Sequence, residues 1–308
     1  MKHTPDYDST FKTLKVRHAR LFISVINEAF QKSYPINSRV EILPSEGYFV
    51  NASKEEQKNA IEKRESDFLL RIEDDYYLLE CQTYDDDSMA LRLAEYTFLA
   101  ARGAASFDQA HVILPLPHFT VVYIKNTEKT PRTTTITYQY PDGTAYDYTT
   151  DNIFLSDLTR EEIIEKQLYV YIPFYIARYE KELQTETNYR KAIEDLEFFR
   201  DHLMQLRKDS KLDDSEIFDI RTCVNQIVSH ITDGNTIEKE MVSVMGGEIF
   251  ELPSEKLIRE TTERVTAEVT AQVTAEFSQK LNRKDQQISE QMQKIADLEA
   301  QIKAMQNK

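Results

Sequence analysis

The chain has 308 residues, of which 41% are hydrophobic and 30% charged, with a net charge of −15 at neutral pH. That composition suits a globular protein with a solvated appendage. No window approaches the ~18 consecutive apolar residues of a membrane span. The acidic balance counts against strong non-specific nucleic-acid binding, since phosphate contacts rely on lysine and arginine. It leaves room for an enzyme with a local basic groove and a bound cation.

The charge is unevenly placed. From Glu255 onward nine basic residues balance nine acidic ones, so the first 254 residues carry the whole negative charge. The opening "MKHTPDYDSTFK" has no apolar core and does not read as a secretory signal. Cys81 and Cys223 are too few and too far apart for a disulfide framework or a zinc site, which makes a reducing cytoplasm the simplest location.

In chain order, residues 8–31 read as one helix, because Phe11, Leu14, Leu21, Phe22, Val25, Ile26 and Phe30 recur at helical spacing. "RVEIL" suggests a short strand, and the polar segment "SKEEQKNAIEKRES" follows. "DFLLRI" and "YYLLECQT" flank "EDD" and predict a hairpin. "SMALRLAEYTFLAARGA" predicts a helix with Met89, Leu93, Tyr96 and Ala100 on one stripe. "AHVILPLPHFTVVYIKN" reads as one or two buried strands broken by Pro115 and Pro117. A second hairpin is expected around Asp142–Gly143. From Thr159 the pattern is helical, with an interruption at Pro173 and turns at 233–234 and 246–247.

The tail differs. Val265, Val269, Val273, Phe277 and Leu281 fall four apart, after which Leu281, Ile288, Ile295 and Ile302 fall seven apart. Leu298 and Met305 extend the apolar seam of a coiled coil, while Lys284 and Gln291 weaken it. A strict spacing of four drifts against a heptad, so the first part is not expected to wind as a regular left-handed coil. Self-association through residues 255–308 is the expectation; a single frayed helix is the alternative.

The chemistry concentrates in Arg64–Tyr96. With an even-numbered hairpin loop, Leu69 would face Glu80 and Asp67 would face Gln82. Side-chain alternation then puts Asp67, Glu80 and Gln82 on one face and Cys81 on the other. A slip of one residue would separate them. Converging carboxylates repel unless a proton or a cation lies between them, and oxygen donors of this kind suit Mg²⁺ or Mn²⁺. Gln82 is no base; it could only orient a water. From spacing alone, solvated edge residues are the commoner outcome.

The wider pattern points further. Asp67, a step of thirteen residues to Glu80, then Gln82 resembles the PD-(D/E)XK nuclease motif. "DSTFKTL", "RESDFLLRI" and "LLECQTYDDDSMALRLAEY" resemble the Rpn family of recombination-promoting nucleases and transposase-like proteins, over about residues 1–180. The resemblance implies a restriction-endonuclease-like α/β core, a mixed sheet flanked by helices, over 1–180. A helical extension over 181–254 and the coiled coil over 255–308 would follow. It implies Mg²⁺-dependent cleavage of double-stranded DNA, in recombination or against foreign DNA. Asp67, Glu80 and the backbone carbonyl of Cys81 would be the metal ligands, and Gln82 would position water. Ser66 stands where the motif's name has Pro, and Gln82 where most of the superfamily has Lys, so a positive charge is missing.

Arg92 and Tyr96 share a helix face, as do Asp8 and Lys12. The resemblance implies that Arg92 and Tyr96 lie near the phosphate, the alternative being Tyr96 in the core and Arg92 as a solvated or structural partner. Lys12 would supply the missing charge, the alternative being an exposed ion pair. "YDDD" at 84–87 reads as a helix N-cap region around Asp87 and Ser88. His111 and His118 read as structural. The competing function is a nuclease-fold scaffold, weak or inactive, that works through coiled-coil oligomerisation.

Overall fold

A computed structural model describes residues 7–44, 46–50, 61–84, 86–180, 183, 186–232 and 236–246, with isolated positions between 258 and 294. The chain forms two compact units, 1–250 and 251–308.

The elements of the first unit begin with α1 (Tyr7–Arg17), α2 (Phe22–Phe30), β1 (Val40–Ile42), β2 (Glu46–Val50) and β3 (Ile61–Glu65). The central hairpin is β4 (Phe68–Ile72) and β5 (Asp75–Gln82), followed by α3 (Met89–Gly103), β6 (Ser106–Asp108), β7 (His111–Ile113) and β8 (His118–Tyr123). After β9 (Thr133–Gln139), β10 (Ala145–Asp151) and β11 (Ile153–Phe154) the chain is helical. Its helices are α4 (Arg160–Glu165), α5 (Ile172–Tyr175), α6 (Glu186–Lys208), α7 (Asp214–Thr232) and α8 (Thr236–Val244).

Five strands form a mixed sheet in the order β1–β4–β5–β8–β11. The first three pair antiparallel, and β8 runs parallel to both β5 and β11. A parallel pair needs a crossover, which α3 supplies between β5 and β8. The central strands are buried on both faces, which explains their nearly unbroken apolar runs. On one face Leu69, Leu78, Phe119, Val121 and Tyr123 pack against Met89, Leu93 and Tyr96 of α3 and Ile136 of β9. On the other, Phe68 meets Phe22 at 4.4 Å and Phe11 at 6.2 Å between ring centres, and Phe11 meets Phe174 of α5 at 6.0 Å.

The single helix expected over 8–31 is two helices. At His18 the backbone leaves the helical region (φ −136°, ψ 46°) and a 3-10 turn over Ala19–Leu21 leads into α2. No proline or glycine marks the break. Its partners come from α7: His18 bonds the Asp219 carboxylate at 2.7 Å, Arg17 reaches the same group at 2.9 Å, and Arg20 pairs with Glu216. The apolar positions nonetheless fall as expected, with Phe11, Leu14, Leu21, Phe22, Val25 and Ile26 all buried.

The stretch 110–126 also departs from its reading. Only its second half, β8, is a buried strand. The first half is β7, paired with β6 in an exposed hairpin on which Phe107 is 78% exposed. The β2–β3 hairpin, whose second strand ends the polar segment, was not anticipated. The β9–β10 hairpin forms around Asp142–Gly143, with Gly143 at φ 89°, a conformation that glycine adopts without strain. Thr159 caps α4 reciprocally with Glu162, and Pro173 sits in the first turn of α5, where its missing N–H costs nothing.

Among the described residues no helix is long and apolar enough to cross a membrane. The turn at 233–234 and Gly247 lie outside the described residues. So do Leu281, Ile288, Gln291, Ile295, Leu298, Ile302 and Met305 of the expected seam. Described positions of the tail are helical, and Ile258, Val265, Val269, Val273 and Phe277 are exposed.

Candidate metal and phosphate site

The β4–β5 hairpin turns through Glu73–Asp74, with Ile72 paired to Asp75 and Glu73 in the left-handed region at φ 54°. Leu69 therefore faces Leu78, and Phe68 faces Leu79. The expected pairing of Leu69 with Glu80 is displaced by two positions, because the tight turn leaves fewer residues in the loop. A shift of two preserves every face. Asp67 and Glu80 now stand directly opposite each other, one step beyond the last paired position.

The two carboxylates are tied into the main chain of each other's strand. The Asp67 N–H donates to Glu80 Oε1 at 3.1 Å, and the Cys81 N–H donates to Asp67 Oδ2 at 2.9 Å. Glu80 is 0% exposed and Asp67 7%, so neither is a solvated edge residue. Their remaining oxygens meet cations: Arg92 Nη2 lies 3.2 Å from Glu80 Oε2, and Lys12 Nζ lies 3.7 Å from Asp67 Oδ1. Buried charge without such partners would be prohibitively costly.

Helix α3 delivers Arg92 and Tyr96 one turn apart, with the guanidinium 5.8 Å from the centre of the Tyr96 ring. Arg92 also bonds Asp86 Oδ2 at 3.0 Å. Burial works against its charge, but the Tyr96 hydrogen bond and the carboxylates of Glu80 and Asp86 outweigh it and raise its pKa. Asp86 also accepts from the N–H and hydroxyl of Ser88, at 2.8 and 2.6 Å, which holds its carboxyl below the usual range. The start of α3 is thus organised by Asp86 rather than Asp87.

Gln82 continues the face of Glu80 along β5. Its carbonyl accepts from Ile124 N–H at 2.8 Å, while its side-chain amide makes no hydrogen bond among the described residues. Cys81 projects to the other face. Its main-chain N–H points away from β8 toward Asp67, and in an extended strand its carbonyl lies on that same edge.

Lys15 was missed by sequence reasoning. It is 6% exposed, its ammonium donates to the Asp67 carbonyl, and it lies 5.7 Å from the Phe68 ring centre. Its helical spacing of three from Lys12 was the available signal. Asp8 lies in α1, with its side chain outside the described residues. His111 is exposed; His118 stacks on Tyr77 at 5.3 Å and 19°.

Among the described residues no group of three His, Cys, Asp or Glu side chains converges as a metal cage. Two carboxylates with a main-chain carbonyl beside them remain an oxygen donor set of the kind that Mg²⁺ accepts together with waters. The donors fit a hard cation, and Lys12 and Arg92 are the groups that would share or yield the outer oxygens. No protein-family model, curated protein or solved structure matches the chain.

Proposed function

We propose that the protein is a Mg²⁺- or Mn²⁺-dependent DNA endonuclease with a restriction-endonuclease-like core. The observation that carries this reading is the opposition of Asp67 and Glu80, buried and held by each other's main chain. Asp67, Glu80 and the Cys81 carbonyl would hold the metal. When bound, such an ion lowers the pKa of water and neutralises charge on a phosphodiester.

The chain's own residues have distinct tasks. The amide of Gln82, which makes no side-chain hydrogen bond among the described residues, orients the attacking water by hydrogen bonding. Lys12 and Arg92 offer cationic contacts to non-bridging phosphate oxygens, and Tyr96 steadies Arg92 from below. Water attacks phosphorus and releases a proton to solvent, the bond to the leaving oxygen breaks, and that oxygen takes up a proton from solvent. The exposed apolar positions of the tail support a homo-oligomer, which would bring two sites to one duplex.

A second reading is favoured by one specific observation: each carboxylate already has a cation beside it, Lys12 at Asp67 and Arg92 at Glu80. An ion-pair network complete without metal suits a scaffold that keeps the nuclease core and works through its tail.

Supercoiled plasmid incubated with Mg²⁺ or Mn²⁺, beside the Asp67→Ala variant, separates the two. Cleavage lost in the variant supports the enzyme. Equal nicking by both proteins points to contamination, and no cleavage by either favours the scaffold.

A further inference from the structure

A cavity of about 240 Å³ opens beyond the carboxyl ends of β8 and β11. Ile124, one of its walls, donates its N–H to the Gln82 carbonyl, so the cavity begins beside the end of β5 that carries Glu80. In sheets with parallel strands, ligands collect at such carboxyl ends.

Leu155, Phe174 and Ala177 make an apolar floor and are almost wholly buried. The mouth is polar, and its groups are fixed. Arg178 Nη2 donates to the carbonyls of Leu155 and Leu158, at 3.0 Å each, and Nε donates to the Tyr175 carbonyl at 3.1 Å. The guanidinium carbon lies 3.4 Å from the Tyr175 ring centre. One face of that cation is therefore covered, while Nη1 has no partner among the described residues. Across the mouth, the Ser156 hydroxyl donates to Asn126 Oδ1 at 2.7 Å, which leaves the Asn126 amide nitrogen as a donor.

Size and chemistry together narrow the occupant. The volume is below the ~300–1,000 Å³ of pockets for drug-sized molecules, and suits one ring with its substituents. An apolar floor accepts a ring face, and a fixed guanidinium plane is a stacking partner for bases. Glu180 Oε2 already accepts from Tyr7 and Lys125, so its other oxygen is the acceptor; with the Asn126 amide and Arg178 Nη1 as donors it matches the mixed edge of a nucleobase. A paired base keeps both its faces and its edge inside the duplex, so only an unpaired one can enter.

We propose that this cavity receives one unpaired nucleobase of the DNA strand, so that the protein prefers duplexes carrying an unpaired nucleotide. The proposal rests on the nuclease reading for its substrate class, but it is testable without cleavage. Fluorescence anisotropy in EDTA compares a labelled duplex containing one bulged nucleotide with its fully paired counterpart. The wild-type chain should bind the bulged duplex about ten-fold more tightly, the worth of one stacked base. Arg178→Lys and Asn126→Ala should each remove most of that preference and leave affinity for the paired duplex unchanged. Asn126→Ala removes no buried contact, so it guards against a folding defect in the first variant. Equal affinity for the two duplexes, a preference that survives both substitutions, or binding of neither duplex would overturn the proposal. Plasmid cleavage without a bulge preference would sink the base pocket alone; a preference without cleavage would sink the nuclease reading alone.

Discussion

At the turn end of the β4–β5 hairpin, Asp75 accepts from Lys32 at 2.8 Å, from Tyr34 at 2.7 Å and from Tyr77 at 3.2 Å. At the open end, Asp67 and Glu80 each accept from a main-chain N–H and face one cation from a helix. Both ends bring together carboxylates, tyrosines and cations, yet they are built differently. Asp75 is 42% exposed along its side chain and is closed by other side chains, among them the partly exposed Lys32 and the buried Tyr77. Glu80 is wholly buried and fixed by the strand itself. A cluster closed by its own side chains is a clasp. A cluster held from behind by the backbone can keep its outer oxygens for replaceable partners, as a ligand site requires.

Four experiments would break or sharpen that contrast. Glu80→Ala strands Arg92 against a lost buried partner and removes the acceptor for the Asp67 N–H. Urea unfolding should show a loss of about 3 kcal/mol; a loss below that of Asp75→Ala would erase the distinction between the ends. Asp67→Ala should lower plasmid cleavage by more than ~100-fold, beyond what outer partners of a metal cost. Cleavage at the wild-type rate would make the open end as inert as the turn.

Asp75→Ala should cost about 1 kcal/mol, the net worth of an exposed hydrogen-bonded group. Its pH signature is specific. The hydrogen bonds with Lys32 and Tyr34 hold the folded carboxyl below its ordinary value, against the effect of burial. The folded state thus binds this proton more weakly than the unfolded state. The stabilisation is fully present above the unfolded value of about 3.9 and is lost as pH falls through the lower folded value. Denaturation at pH 3 and pH 5 should show a smaller difference in the variant than in the wild type.

The smallest effect belongs to His118. Burial, aided by Lys32, lowers its pKa in the folded chain. Its contribution is complete above the unfolded value of about 6.5 and declines as pH drops through the folded value. His118→Phe should flatten the stability profile between pH 5 and 7 by a few tenths of a kcal/mol. An unchanged slope would detach the ring from the turn-end cluster.

Much of this was legible in the residues. Period-two alternation put Asp67, Glu80 and Gln82 on one face, and helical spacing put Arg92 and Tyr96 together on α3. Register was not legible, because Glu73 carries no glycine-like signal for the left-handed turn it makes. Nor was the break at His18, whose partner Asp219 lies two hundred positions away in α7. The apolar run at 110–126 misled because hydrophobicity reports a preference for burial, while Val112 and Ile113 lie in the two-stranded β6–β7 hairpin and stay exposed.

The sequence by itself determined which side chains share a face, where the apolar stripes fall and where acidic charge accumulates. These follow from local geometry, the repeat of a strand or a helix, and need no knowledge of what packs against it. Tertiary structure decided that Asp67 stands opposite Glu80 rather than Gln82, and that Lys12, Lys15 and Arg92 converge on the pair from two helices. It also placed Arg178 over Tyr175 at the mouth of a cavity beside them. Such juxtapositions depend on turn length and on contacts between residues distant in sequence, and no local period encodes them.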